Sequence, residues 1–329
     1  MGVPQNETRR IGRHLSARSA PDSPWSASPI PHILHQTYVS TRVPRALHKI
    51  MQSWQKLQPR WAYSFHSDAD NAKLIGSHYR WLLPVYMRLS GVQKADMARY
   101  VYMHHFGGVY ADLDVKLLRP LRPLLTEQWD RHNASVLLGQ EPIAHAALLE
   151  GKLRQVCNAI IASSKGHPFW LLVLQRAAAA AQATADPPGS TGPRMLEQVY
   201  EEWARRAGRQ NGHSLPRGGR RNGVRAISGS SEGAEGAVVV MPPDTFYPTW
   251  DPMQEGTFRA RCGSSGRLMG SFGKLAALRQ SACDRLRREG FRPTVVPSAF
   301  TDHRWTHTWI PGAQKVDMRD LVPVAVAAQ

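Results

Sequence analysis

Residues Gly107 to Asp114 read Gly-Gly-Val-Tyr-Ala-Asp-Leu-Asp, and this run narrows the folds open to the chain more than any other segment. Side chains alternate along an extended segment. Tyr110, Asp112 and Asp114 therefore fall on one side, with Val109, Ala111, Leu113 and Val115 on the other. The apolar set can pack beneath a sheet while two carboxylates project together from its edge. Two like charges so close are costly unless a cation lies between them. A hard divalent ion that keeps positions open for phosphate oxygens meets that demand. The pattern points to an enzyme that handles a diphosphate through a metal.

Around this run the periodicity predicts alternating strands and helices. Residues 30–38 read as a first strand leaving a proline-rich arm, and residues 61–66 as a second. Between them Pro44 opens a helix that carries Leu47, Ile50, Met51, Trp54 and Leu57 at helical spacing. Ser67 or Asp68 can cap the next helix. Ser90 can cap one that runs to about His105 and ends at Gly107-Gly108. Residues 136–139 resemble a buried strand, and residues 159–182 read mostly as helix around a break at Gly166-His167-Pro168. Another helix is expected over residues 194–206 and a short strand over residues 237–241. Such alternation favours an α/β sandwich with a largely parallel sheet.

At 329 residues with 42% apolar content, the chain is long and apolar enough for a real core. The formal charge of +17 is concentrated. Residues 205–225 hold seven arginines and no acid, and residues 259–292 hold nine basic residues against two acidic ones. Polyanion binding is one reading of these stretches. Solvated, low-complexity insertions at about 207–236 and 259–292 are the other, favoured because a nucleic-acid groove would need aromatic stacking partners there. Nucleic acid is therefore not the expected partner. Residues 1–29 have no apolar h-region and read as a flexible arm, with a catalytic domain over 30–310 and a tail over 311–329. No stretch reaches the roughly 18–20 apolar residues that span a bilayer. Cys157, Cys262 and Cys283 form no CxxC pair; a Cys262–Cys283 bridge would fit an oxidising compartment and leave one thiol over. Asn6-Glu-Thr8 and Asn133-Ala-Ser135 are glycosylation sequons that matter only on the secretory route.

Asp96 and Arg99 lie three apart, hence on one helix face. They form either an ordinary surface ion pair or the wall of the cleft into which Asp112 and Asp114 project. In the second case Asp96 would accept from sugar hydroxyls, and Arg99 would bind a sugar hydroxyl or the phosphate.

Several segments together carry a family resemblance. His32-Ile-Leu-His-Gln-Thr37, Ala95-Asp-Met-Ala-Arg-Tyr100 and Gly107-Gly-Val-Tyr-Ala-Asp-Leu-Asp-Val115 resemble the DXD sugar-binding region of family 32 glycosyltransferases. Leu138-Gly-Gln-Glu-Pro142, Gly166-His-Pro-Phe-Trp170, Thr191-Gly-Pro193, Phe246-Tyr-Pro248 and His303-Arg-Trp305…Trp309 follow in the same order. The chain departs from the pattern at Tyr38, where a tryptophan is usual, and at Thr308, where a serine is usual.

The resemblance implies a GT-A fold, with a Rossmann-like, mostly parallel sheet flanked by helices. It implies Asp112 and Asp114 as the catalytic DXD pair that binds Mn²⁺ or Mg²⁺, with His303 as a further metal or diphosphate ligand. Leu34, His35, Gln36 and Thr37 would receive the nucleotide base and ribose, and Asp96, Arg99 and Tyr110 the donor sugar. The implied activity is retaining transfer of a hexose, mannose from GDP-mannose ahead of UDP-sugars, to inositol phosphoceramide or a glycan. A Golgi or secretory-pathway membrane is the implied location, with peripheral membrane contact in place of an anchor. A phosphatase of the DxDx[TV] type is disfavoured because Lys116 stands where threonine or valine is needed. A basic nucleic-acid-binding protein and a catalytically silent sugar-binding module are the remaining alternatives.

Overall fold

A computed structural model of the chain describes residues 28–210, 225–228, 236–263, 273–310 and 312–324. The arm over 1–27, the sequon at Asn6 and most of the first basic stretch lie outside the described residues. The strands are β1 (Ile33–Tyr38), β2 (Arg42–Pro44), β3 (Ala62–Ser67), β4 (Gly108–Ala111), β5 (Val115–Leu117), β6 (Ala134–Gln140), β7 (Val156–Ser163), β8 (Arg225–Ser228), β9 (Ala237–Met241), β10 (Thr301–His303) and β11 (Leu321–Pro323). The helices are α1 (Arg45–Leu57), α2 (Asp68–His78), α3 (Leu83–Tyr86), α4 (Gly91–His105), α5 (Arg122–His132), α6 (Pro168–Ala183), α7 (Pro187–Ser190), α8 (Pro193–Gln210), α9 (Pro243–Phe246), α10 (Glu255–Gly263) and α11 (Lys274–Arg288).

Seven strands form the central sheet in the order β3-β1-β4-β7-β6-β9-β8. Five of them run in one direction; β7 and β8 are antiparallel to their neighbours. This is the expected α/β sandwich, with one reversed strand inside it. Alternation divides the sheet between two cores. Tyr110, Val136, Leu138, Ile161 and Val238 face α4, α6 and α8, while Val109, Ala111, Leu137, Ala162 and Val239 face the side of Trp54 and Leu125.

Local signals set the helix ends. Leu47, Met51 and Trp54 are the buried stripe of α1, and the Trp54 indole donates to Val115 O at 2.7 Å, tying α1 to β5. Ser67 starts α2 through a capping box with Asp70. The Ser90 N–H donates to the Gln93 side chain at 3.0 Å where α4 begins. That helix stops at Gly107 and Gly108, which have φ of 67° and 94°. A Cβ on Gly108 would lie 2.6 Å from Ile33 O, and one on Gly107 2.6 Å from Lys165 N. Only glycine lets the chain turn here and enter β4 between β1 and β7.

Three expectations need correction. Residues 156–163 form β7, not helix: every residue is buried, and a strand covered on both faces shows no period-2 pattern. The basic stretch over 259–292 is no low-complexity insertion in its described parts. Its two helices, α10 and α11, bury Phe258, Cys262, Ala282, Cys283 and Leu286 against Trp250 and Leu148, and a Cys262–Cys283 disulfide joins them. Finally, residues 321–323 of the tail return to the body, where β11 pairs antiparallel with β2. Cys157 is free and buried.

The bridge spans 21 residues, long enough for the chain-entropy effect to be worth about 3 kcal/mol. Cys283→Ser is expected to lower the unfolding free energy by that amount in urea denaturation, and reduction of the wild type should reproduce the loss. An unchanged denaturation midpoint in both cases would show that the helix pair holds without its bond.

Candidate active site

The sheet delivers its chemistry at the carboxyl end of β4, the usual place for ligands in open α/β sheets. Asp112 and Asp114 do not lie on the strand itself. They occupy the turn between β4 and β5, closed by Val115 N–H donating to Asp112 O at 3.0 Å. Leu113 between them points into a separate apolar cluster with Val43, Leu47 and Phe65, so the two carboxylates still emerge on the same side.

Each carboxylate is held by its own partners. Tyr110 donates its hydroxyl to Asp112 Oδ1 at 2.5 Å, and Arg99 Nη2 approaches the same oxygen at 3.2 Å. Asp114 Oδ2 accepts from the Thr306 N–H and the Thr306 hydroxyl, both at 2.9 Å. Asp114 Oδ1 meets His303 Nε2 at 3.3 Å. Burial raises the Asp112 pKa, Arg99 opposes the rise and Asp114 adds to it. For Asp114 burial again works upward, but His303 and Thr306 outweigh it and hold the group far below the ordinary carboxylate range. Burial lowers the basicity of His303, yet Asp114 and Asp112 prevail and its pKa lies above the usual histidine value.

β10 pairs with β5 and sets His303 opposite Val115, which carries the imidazole to the DXD turn. One ligand atom from each of Asp112, Asp114 and His303 lies within 4.8 Å of the others. Two carboxylates and an imidazole form a donor set suited to a hard or borderline divalent ion. Among the described residues Asp112 Oδ2 has only a 3.4 Å approach from Arg99 Nη1, and Asp114 Oδ1 only the histidine. Those two oxygens with His303 Nε2 fit a cation, while the opposite oxygens stay anchored to protein.

Asp96 and Arg99 adjoin the site but present no free face. Asp96 is 4% exposed and accepts from Asn158 Nδ2 at 2.8 Å and Thr191 Oγ1 at 2.9 Å. Arg99 spans Asp96 at 3.2 Å and Asp112, donates to Asn158 O at 2.8 Å, and lies 4.6 Å over the Tyr110 ring. The pair therefore forms neither an exposed ion pair nor an open sugar contact; it braces Asp112 from behind. The four residues from β1 also depart from expectation. Leu34, His35, Gln36 and Thr37 are all buried, because β1 is a central strand covered on both faces. His35 Nε2 donates to Gly107 O at 2.9 Å, and its pKa is pushed down to about 3 by burial and then by His66. Gln36 accepts from Tyr63 OH, and Thr37 donates to His66 O. These side chains build the floor; none is open to a base.

Sequence reasoning missed Asn158, Thr191 as a side-chain partner, Thr306, and a second polar group beside the site. In that group the Asp251 N–H donates to His145 Nε2 at 3.0 Å, leaving the His145 Nδ1–H to donate to Glu141 at 3.2 Å. His307 Nε2 at 3.0 Å and Lys315 Nζ at 3.3 Å converge on Asp251 Oδ1. The Leu138-Gly-Gln-Glu-Pro142 and His303…Trp309 segments were the available signals, since this group joins them.

Residues 44–135 match the family described as the glycosyltransferase sugar-binding region containing DXD motif. Inositol phosphoceramide mannosyltransferase 2 of Schizosaccharomyces pombe is 30% identical over 182 residues, covering 54% of this chain and 48% of that protein. Mannosyl phosphorylinositol ceramide synthase SUR1 of Saccharomyces cerevisiae is 29% identical over 190 residues, 56% of this chain and 45% of that one. The initiation-specific alpha-1,6-mannosyltransferase of Saccharomyces cerevisiae is 23% identical over 216 residues, with 54% and 45% covered. The chain spans about half the length of the curated relatives it matches. Among solved structures, PaToxG glycosyltransferase is similar with a TM-score of 0.41 and 13% identity, over 62% of this chain and 78% of that one. The DXD-region resemblance is thus found, on an α/β sandwich with a mostly parallel sheet.

Asp251 yields a pH prediction. Burial alone would raise its pKa, but the His307 hydrogen bond, the Met253 N–H and the Lys315 charge bring it down to about 2. A carboxylate depressed in the folded state contributes stability above its unfolded pKa, near 3.9, and loses that contribution as pH falls through about 2. Asp251→Asn should cost about 2 kcal/mol at pH 7. The difference from wild type should shrink as pH falls below about 4 and vanish only below pH 2, as read by urea denaturation across pH. A cost that does not change with pH would mean that Asp251 acts through packing alone.

Proposed function

We infer that the chain is a metal-dependent glycosyltransferase. It moves a hexose, mannose from GDP-mannose ahead of a UDP-sugar, to a glycolipid of the inositol phosphoceramide kind or to a glycan. The convergence of Asp112, Asp114 and His303 at the carboxyl end of β4 carries this reading. The names of the relatives support mannose and an inositol-containing lipid. The disulfide between α10 and α11 supports an oxidising, secretory location such as the Golgi. Among the described residues no helix is long and apolar enough to cross a membrane.

Transfer breaks the bond between the anomeric carbon and the β-phosphate oxygen, whose negative charge must be stabilised as it develops. A divalent ion, Mn²⁺ or Mg²⁺, held by Asp112, Asp114 and His303 would supply Lewis-acid stabilisation of that oxygen. The protein's own part is preorganisation. Arg99 and Tyr110 fix Asp112 in one rotamer, Thr306 fixes Asp114, and neither carboxylate need reorient when the diphosphate arrives. Retention follows if the acceptor hydroxyl enters on the face the phosphate leaves and gives its proton to that phosphate. This route requires no separate carboxylate base.

Asp114→Asn is expected to lower Mn²⁺-dependent GDP-mannose hydrolysis by a factor on the order of 10²–10³, as for loss of one charge-stabilising group. A panel of sugar nucleotides assayed without acceptor would name the donor. Wild-type turnover by the variant at saturating Mn²⁺ would refute the assignment.

A further inference from the structure

Residues 79–89 run as a succession of helical turns, through hydrogen bonds such as Leu82 N–H to Tyr79 O, Tyr86 N–H to Leu82 O and Leu89 N–H to Tyr86 O. Along them Tyr79, Leu82, Tyr86 and Leu89 are buried in the core. Arg80, Trp81, Pro84, Met87 and Arg88 are exposed, and their spacing of one, four, seven and eight residues makes them one stripe. Trp81 is 48% and Met87 57% exposed, among the largest apolar side chains left in water among the described residues. Neither Arg80 nor Arg88 pairs with a carboxylate among those residues. From position 71 to position 95 the sequence contains Lys73, Arg80, Arg88 and Lys94 but no aspartate or glutamate. The acids that flank this run are Asp68, which lies near Tyr86 and Lys94, Asp70, turned to the Ser67 cap, and Asp96, buried at the site.

We propose that this stripe is a membrane-docking surface that takes an anionic lipid bilayer, with Trp81 and Met87 entering the interface and Arg80 and Arg88 meeting lipid phosphates. An exposed tryptophan beside a flexible apolar side chain, flanked by arginines and free of acids, is the composition that binds at the headgroup boundary. The position suits a lipid acceptor. The stripe runs directly into α4 at Gly91, and Asp96 lies about 8 Å further along that helix. Docking there would set the start of α4, the helix whose Arg99 braces Asp112, beside the bilayer without any spanning segment. The purpose of the surface rests on the glycolipid reading above; its binding does not require turnover, so the two can fail separately.

The test is co-sedimentation of the full chain with vesicles of phosphatidylcholine, with and without phosphatidylserine, in the absence of sugar nucleotide. Wild type should bind the anionic vesicles. Arg80→Glu with Arg88→Glu should weaken binding at least fivefold per charge at low salt. Trp81→Ser with Met87→Ser should weaken it about tenfold at any salt. Arg131→Glu on α5, which packs on the opposite face of the sheet, makes the same charge change as either single reversal and should leave binding intact. Met87→Glu alone reports the same surface if the apolar pair proves unstable. Asp114→Asn should bind vesicles like wild type, whatever becomes of its turnover. Wild type that ignores anionic vesicles would overturn the proposal. So would stripe variants that bind as well as wild type, which would place binding on the chain's other basic segments. Loss of self-association in the stripe variants, with vesicle binding unchanged, would reassign the surface to a protein contact and equally overturn it.

Discussion

Two carboxylates, Asp112 and Asp114, leave the same turn, and the surrounding structure holds both aimed to the same side. Their mutual repulsion favours protonating one, and it is Asp112 whose pKa is raised while that of Asp114 is depressed. The chain answers with different devices on each side. Asp112 is backed by a guanidinium and a phenol that come from the helix and strand immediately before it. Asp114 is backed by a backbone N–H, a hydroxyl and an imidazole from a segment almost 200 residues later, as in the bond from the Thr306 N–H. One half of the site is therefore local and the other depends on the β5–β10 pair being formed. Loss of β10 would strip Asp114 of every partner while leaving Asp112 intact.

This asymmetry explains what could be read from the chain. The local half was legible: the Gly-Gly turn, the alternation through Tyr110 and Asp112, and the Asp96–Arg99 spacing all lie within about twenty residues. Their roles were less so. Helical spacing shows that Asp96 and Arg99 share a face, but not that Asn158 and Thr191 have already claimed that face. In β1 the same limit acts more strongly. A central strand covered on both sides gives no alternation from which to tell floor from cleft, and its polar side chains turn to internal partners, Gln36 to Ala111 O and Tyr63, and His35 Nε2 to Gly107 O. The misassignment of β7 has that cause too.

The second basic stretch shows the opposite failure. Arginine-rich composition between 259 and 292 suggested solvated insertion, yet α10 and α11 put their few apolar residues and both cysteines on one line of contact. The arginines sit on the outer faces, where Arg259 pairs with Glu255, and Arg285 with Glu289 and Asp244. Composition reports the average of both faces; the fold uses them separately. The charge of this second stretch is thus, in its described parts, an outer coat. The acid-free stripe beside α4 adds little to net charge but lies close to the site.

The C-terminal segment closes the account of the site, because it is held in a conformation it would not adopt alone. Trp305 and His307 both have positive φ, at 50° and 53°, and neither is glycine. Each such residue costs on the order of 1–3 kcal/mol and persists only where surrounding contacts over-determine it. Those contacts are visible: Arg304 N–H to Asp114 O, Thr306 to Asp114, Trp305 Nε1 to Thr249 O, and His307 and Lys315 to Asp251. The two unfavourable residues bracket Thr306, and the alternating backbone turns Thr306 and His307 toward two separate carboxylates. A relaxed, extended segment would send consecutive side chains to opposite faces of a sheet instead. The strain is thus the geometric condition for one short segment to anchor Asp114 and Asp251 together, which couples the DXD turn to the end of β6 through His145 and Glu141.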